Sequence, residues 1–142
     1  MRAPRFMHHP APIAPTAPGA PIVFVLPIRT ENTLNGSQGF SRGAVMAAAR
    51  KRKDQRALAE MATRPRVHGV VTFPLVVTLT RLAPSAGLDT DGLAASQKSI
   101  RDGVADGLGL VNDRDSRVTW VYDQRRTPRS MWGVEVSIEA RT

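Results

Sequence analysis

Residues 70–82, Val70-Val71-Thr72-Phe73-Pro74-Leu75-Val76-Val77-Thr78-Leu79-Thr80-Arg81-Leu82, alternate with a period of two. Val71, Phe73, Leu75, Val77 and Leu79 share one face, and Thr72, Thr78 and Thr80 share the other, with Val76 as the exception. Side chains that alternate in this way suit a half-buried β-strand. Pro74 has no N–H to give to a ladder, so the pattern predicts an edge strand or a bulge there. Downstream, Pro84, Ser85 and Gly87 mark a turn, and the period then changes. From Gly92 to Leu108, Leu93, Gln97, Ile100, Val104 and Leu108 recur every three or four residues, which predicts an amphipathic helix. Gly103 weakens that helix, and Gly107 with Gly109 closes it. Two more alternating runs follow, Val118-Trp120-Tyr122 and Val134-Val136-Ile138, separated by a basic loop, 124–130, with Arg125, Arg126 and Arg129.

Upstream, Ser41 to Thr63 reads as a second helix. Ser41 is its N-cap, Val45, Ala49, Leu58 and Met61 form its apolar face, and Pro65 ends it. Before it, Ile22-Val23-Phe24-Val25-Leu26 is a short β-branched run stopped by Pro27, and Asn32, Asn35, Gly36, Ser37 and Gly39 form a polar loop. The order is strand, helix, strand, helix, strand, strand. That predicts an α+β domain with a small mixed or antiparallel sheet and two main helices over residues 22–142. Residues 1–21 read as a Pro/Ala-rich disordered tail, since six of the eleven prolines fall there and interrupt any apolar signal core.

Composition narrows the chemistry. A chain of 142 residues is about one domain. It has no cysteine, which excludes disulfides, thiolate metal sites and cysteine nucleophiles. No apolar run approaches the ~20 residues of a membrane span, so no membrane partner is expected. Neither a Walker loop nor a dinucleotide fingerprint occurs, so no nucleotide cofactor is expected. His8 and His9 lie in the tail, so a serine–histidine triad would rest on His68 alone, and no nucleophile-elbow motif accompanies it. Aromatics are 5% of the chain, a poor supply for a base-stacking platform; Trp120, Tyr122 and Trp132 read as core or interface residues. The net charge of +8 favours a polyanionic partner, most often nucleic acid. Arg50, Lys51, Arg52, Lys53 and Arg56 crowd one helix with only Asp54 among them, which suits either a solvated face or a phosphate-contacting helix.

The carboxylates are scarce, so their spacing matters. Asp89 and Asp91 would project to one side of an extended segment, where two like charges repel unless a cation such as Mg²⁺ or Mn²⁺ joins them. Either would serve equally as a helix N-cap. Asn112-Asp113-Arg114-Asp115 follows the helix, either as an ordinary polar turn or as the source of a third carboxylate. On one continuous helix, Lys98 would lie on the face of Asp91, about 10 Å along, and would pair with Asp102.

These residues together resemble a known family. Leu88-Asp89-Thr90-Asp91-Gly92-Leu93, then Lys98, then Arg101-Asp102-Gly103 to Gly109, then Asn112-Asp113, are similar to the RusA-like crossover junction endodeoxyribonucleases, the Holliday junction resolvases of phages and prophages. The resemblance covers about 120 residues, with residues 88–113 carrying the specific part. It implies a homodimer that acts on four-way DNA junctions in the cytoplasm of a bacterial host, cutting paired phosphodiesters with Mg²⁺ (or Mn²⁺). By position, Asp89, Asp91 and Asp113 would be the catalytic and metal-binding carboxylates, and Lys98 the catalytic lysine. Arg50, Lys51, Arg52, Lys53, Arg56, Arg125, Arg126 and Arg129 would hold DNA by its phosphates. The chain departs from the family pattern at Gly92, where Asn is usual, and at Asn112, where the first Asp of a pair is usual. These departures raise the alternative of a catalytically degenerate junction-binding module with the same fold.

Overall fold

The computed structural model describes residues 20–30 and 41–142. Most of the expected tail, with His8 and His9, and the expected loop at Asn32–Gly39 lie outside the described residues. The elements are β1 (Ile22–Leu26), α1 (Arg42–Val67), β2 (Leu75–Ala83), α2 (Thr90–Ser96), α3 (Lys98–Gly107), β3 (Val118–Arg126) and β4 (Gly133–Ala140). The strands form one sheet in the order β1-β4-β2-β3. β4 runs antiparallel to both β1 and β2, and β3 runs parallel to β2. Parallel neighbours need a crossover, and α2 with α3 supplies it. The architecture is therefore α+β with a mixed four-stranded sheet, as the alternation and helical periods predict.

Register explains the core. Leu75, Val77 and Leu79 pair with Val118, Trp120 and Tyr122 on one side, and Val77 and Leu79 with Ile138 and Val136 on the other. Phe24 and Leu26 extend the same face through β1. Ala59 of α1 and Ile100, Val104 and Ala105 of α3 close over it. Each fully buried Val, Leu or Ile contributes roughly 1.5–3 kcal/mol relative to exposure.

Several details differ from the sequence expectations. β2 is an interior strand, and Pro74 lies just before it, where no ladder N–H is required; its carbonyl accepts a bond from Arg141 N at 3.0 Å. α1 runs through Pro65 to Val67. The bond that proline omits would go to the Met61 carbonyl, on the outer side of the helix, where Met61 is 72% exposed. Val67 is buried and anchors this last turn.

The expected apolar face of α1 is not the buried one. Val45, Leu58 and Met61 are exposed, while Ala59, Thr63 and Val67 are buried. The reason is the α1–α3 crossing. A Cβ on Gly103 would stand 2.2 Å from the Arg56 carbonyl oxygen, and one on Gly107 would stand 2.6 Å from Thr63 Cβ. Close backbone approach selects small residues here, and bulk is turned outward. The expected Gly92–Leu108 helix is two helices, broken at Gln97. Gln97 is fully buried, and its side-chain amide has no hydrogen-bond partner among the described residues. Arg125 and Arg126 lie within β3, not in the basic loop, so only Arg129 of the three is in the connection.

Candidate functional site

The site is built on the β2-α2-α3-β3 crossover. Asp89 caps α2: its Oδ1 accepts Gly92 N at 2.7 Å, so the capping reading of this residue holds. Asp91 lies in the first turn of α2, exposed, where a negative charge is favoured by the helix dipole. The break at Gln97 turns the chain before Lys98, so Asp91 and Lys98 do not share one continuous helix face.

After α3 the chain reverses. Gly109 has φ +80°, a left-handed conformation that glycine takes without cost, and Leu110 N returns to Ala105 O at 3.0 Å. This brings Asp113 back to the start of α3. Lys98 Nζ donates to Asp113 Oδ2 at 2.7 Å and to Asp102 Oδ1 at 2.9 Å. Arg101 Nε lies 2.9 Å from the same Asp113 oxygen, close enough for an ion pair but off the hydrogen-bond axis. Arg101 also donates to Tyr122 Oη at 2.8 Å and to the Asp113 carbonyl at 3.0 Å, and lies over the Trp120 ring. Trp120 Nε1 donates to the same carbonyl at 3.0 Å. Trp120 and Tyr122 therefore pack on the core and also hold the Asp113 turn.

Burial alone would raise the Asp113 carboxyl pKa. The Lys98 hydrogen bond and the charges of Lys98 and Arg101 outweigh it and hold the group below its ordinary range. Burial alone would lower the Lys98 pKa, but its two carboxylate partners raise it. Asp115 is fastened to Arg117, which hydrogen-bonds it and holds its pKa down to about 2. Asn112 Oδ1 accepts Arg114 N at 2.8 Å, an ordinary turn bond.

Asp89, Asp91 and Asp113 offer hard oxygens of the kind Mg²⁺ takes. Among the described residues, however, no group of three or more Asp, Glu or His side chains is placed to hold a metal ion. Leu88, next to Asp89, is clamped by Gln124, and the Asp113 carbonyl by Trp120. Those anchors are four residues apart on β3, about 13 Å at the strand rise.

The basic residues of α1 divide. Arg56 donates to Asp106 through Nε at 2.7 Å and Nη2 at 3.0 Å, pinning α1 to α3. Arg50, Lys51, Arg52 and Lys53 lie on the exposed half of α1. Arg52, Lys53 and Arg56 face Lys98, Ser99 and Asp102 across a cleft of about 370 Å³. On β3, Arg125 pairs with Glu135 at 3.0 Å and Arg126 bonds the Pro84 carbonyl at 3.2 Å. Arg129 is exposed. Sequence reasoning missed Arg101 as a holder of Asp113. Its position three residues after Lys98, on the same helix face, was the available signal.

No helix among the described residues is long and apolar enough to cross a membrane. Compared with protein-family models and with curated proteins, the chain matches none.

Proposed function

We propose that this chain is a RusA-like structure-specific endodeoxyribonuclease that resolves four-way DNA junctions as a homodimer. The observation that carries this reading is the return of Asp113 onto Lys98 across the α2–α3 unit that Asp89 and Asp91 open. Lys98 and Asp113, fifteen residues apart in sequence, meet there. Lys98 would neutralise charge on the phosphate that is cut. Arg52 and Lys53, on the far wall of the adjoining cleft, would hold a DNA strand by its phosphates, and that contact carries no sequence information. Asp89, Asp91 and Asp113 do not stand together as a ready Mg²⁺ site, so on this reading they would have to draw closer before a metal could supply Lewis-acid stabilisation and a water of lowered pKa.

A second reading also has an observation behind it. The three carboxylates are not gathered about one point, and Asp113 is already neutralised by two cations. That fits a junction-binding module without chemistry, in line with Gly92 and Asn112, and equally a basic structural protein, in which these carboxylates need not converge.

One experiment separates the readings: a labelled synthetic four-way junction, with Mg²⁺ and with chelator, beside a linear duplex. Paired metal-dependent nicks in the junction alone support the nuclease. Salt-sensitive junction binding without cutting supports the binding module. Neither binding nor cutting removes both.

A further inference from the structure

Arg81 continues the inward-facing series Leu75, Val77, Leu79, so a guanidinium enters the sheet where the pattern calls for an apolar side chain. It is 5% exposed. Removing a cation from water costs several kcal/mol unless an anion faces it. Among the described residues Arg81 has no carboxylate partner. Its Nε donates to Thr30 Oγ1 at 3.0 Å, and one Nη reaches Ser85 Oγ at a long 3.4 Å. The Trp132 ring centroid is 5.8 Å away, near the limit of a cation–π contact. An arginine has five donors, and among the described residues only its Nε and one Nη have a partner, each a neutral hydroxyl. Burial pulls its pKa down, and no acidic neighbour among the described residues opposes the shift.

The side chain does not end in closed protein. A concavity of about 380 Å³ opens on it, lined also by Ser85, Gly87, Gln124, Arg125 and Arg126. Three arginines thus line one hollow, with no carboxylate among the described residues of its lining; Arg125 is already paired with Glu135, which leaves Arg81 and Arg126 for an anion. It lies at the C-terminal ends of the parallel pair β2 and β3, the end at which open parallel sheets bind ligands. Its wall is rigid: Gln124 Oε1 accepts Leu88 N at 2.9 Å, and Gln124 Nε2 donates to Leu88 O at 2.8 Å. Gly87 allows that clamp, since a Cβ there would crowd the Gln124 amide at 3.1 Å. The clamped residue directly precedes Asp89.

We propose that the hollow floored by Arg81 is a phosphate subsite, seating a backbone phosphate of the bound DNA strand beside Asp89. The proposal rests on the reading of the protein as one that binds branched DNA. A planar guanidinium with paired donors suits two phosphate oxygens, and Arg126 would close over the anion from β3.

Inorganic phosphate tests the hollow without DNA. The Arg81 Nε–Hε and Gly87 amide resonances of the wild-type protein are followed as phosphate is added, with chloride at equal ionic strength as the control. Saturable shifts with phosphate alone are expected, lost in Arg81→Gln and in Arg126→Gln; the latter removes an exposed side chain and serves if Arg81→Gln does not fold. No shift in the wild-type protein, or equal shifts with chloride, overturns the proposal. Junction affinity is then measured against salt. Arg126→Gln is expected to lower the slope of log K against log salt by about one and to weaken binding roughly tenfold. An unchanged slope overturns the assignment of the hollow to DNA. If phosphate binds and no junction does, the functional reading fails and the anion site stands. If junctions bind while phosphate leaves Arg81 untouched, the reverse holds.

Discussion

Asp113 and Lys98 are joined end to end: Oδ2 lies 2.7 Å from Nζ across fifteen residues of chain. The bond ties the turn after α3 to the start of α3. The folded Asp113 pKa is depressed below its ordinary 3.8, so its stabilising contribution is complete above that pH and is lost as pH falls through the folded value. Lys98 is more than half exposed, so solvent screens the pair and its net worth is about 1 kcal/mol or less. We expect Asp113→Asn to lower stability at pH 7 by that amount and to flatten the acid limb of the stability curve below pH 3.8. Urea unfolding across pH checks this; parallel curves for variant and wild type would count against the pair.

Gly103 predicts a reversal of ordinary helix energetics. Replacing a mid-helix glycine by alanine normally gains up to about 1 kcal/mol. Here the added Cβ would meet the Arg56 carbonyl oxygen at 2.2 Å and Ala59 Cβ at 2.6 Å. Neither is the far end of a flexible side chain, so α1 and α3 must separate. Gly103→Ala should therefore destabilise the protein, by roughly 1–3 kcal/mol as overpacking does. A stabilised variant in urea unfolding would show that the helices part without cost.

The strands were legible because their signals are local: Val118–Tyr122 and Val134–Ile138 appear where period two places them, and Ile22–Leu26 where its short β-branched run does, although β1 is half-buried, not buried, with Val23 and Val25 exposed at the sheet edge. Strand order was not, since Pro74 bears on β2 only locally and the interior place of β2 depends on β4, far downstream. The α1 face was misread because hydrophobicity was used where closeness governs. Ala59 and Thr63 are buried by Gly103 and Gly107, and the larger Val45, Leu58 and Met61 are not. Pairing of Lys98 with Asp102 was readable at i,i+4, and a returning turn was readable from Gly109. The second pairing of Asp113, with Arg101, needed the tertiary position of Tyr122 and Trp120. Arg81 was visible as the next member of the Leu75, Val77, Leu79 series, a cation where the face expects an apolar residue.

Arg56 and Lys53 belong to one basic run yet should respond differently. Arg56 makes two bonds to Asp106, while Lys53 lines the cleft opposite Lys98. Arg56→Ala is expected to lower stability by about 1 kcal/mol through the lost α1–α3 tie, with half-exposure limiting the size. Lys53→Ala should leave the melting temperature in place and reduce the salt slope of DNA binding by about one. Thermal unfolding and filter binding over a salt series distinguish the two. Equal melting temperatures for both variants would mean that the Asp106 tie is not holding the helices.

Asp91 offers the sharpest test of the catalytic reading, because it has the least structural duty of the three carboxylates. Asp89 caps α2 and Asp113 pairs with Lys98, so loss of activity on changing either has a structural explanation as well. Asp91 is exposed and makes no hydrogen bond or ion pair among the described residues. Its one local contribution is a favourable charge in the first turn of α2, worth ~0.3–1 kcal/mol. Asp91→Asn keeps the size and removes one ligand charge. If the carboxylates act together on Mg²⁺, junction cleavage should fall by at least a hundredfold, a change of about 2.7 kcal/mol in the barrier, while junction affinity in chelator stays within a factor of two. Single-turnover cleavage beside a gel-shift titration reads both quantities on one preparation. Cleavage at the wild-type rate would remove Asp91 from the site, and a parallel loss of binding would make it a DNA contact and not a metal ligand.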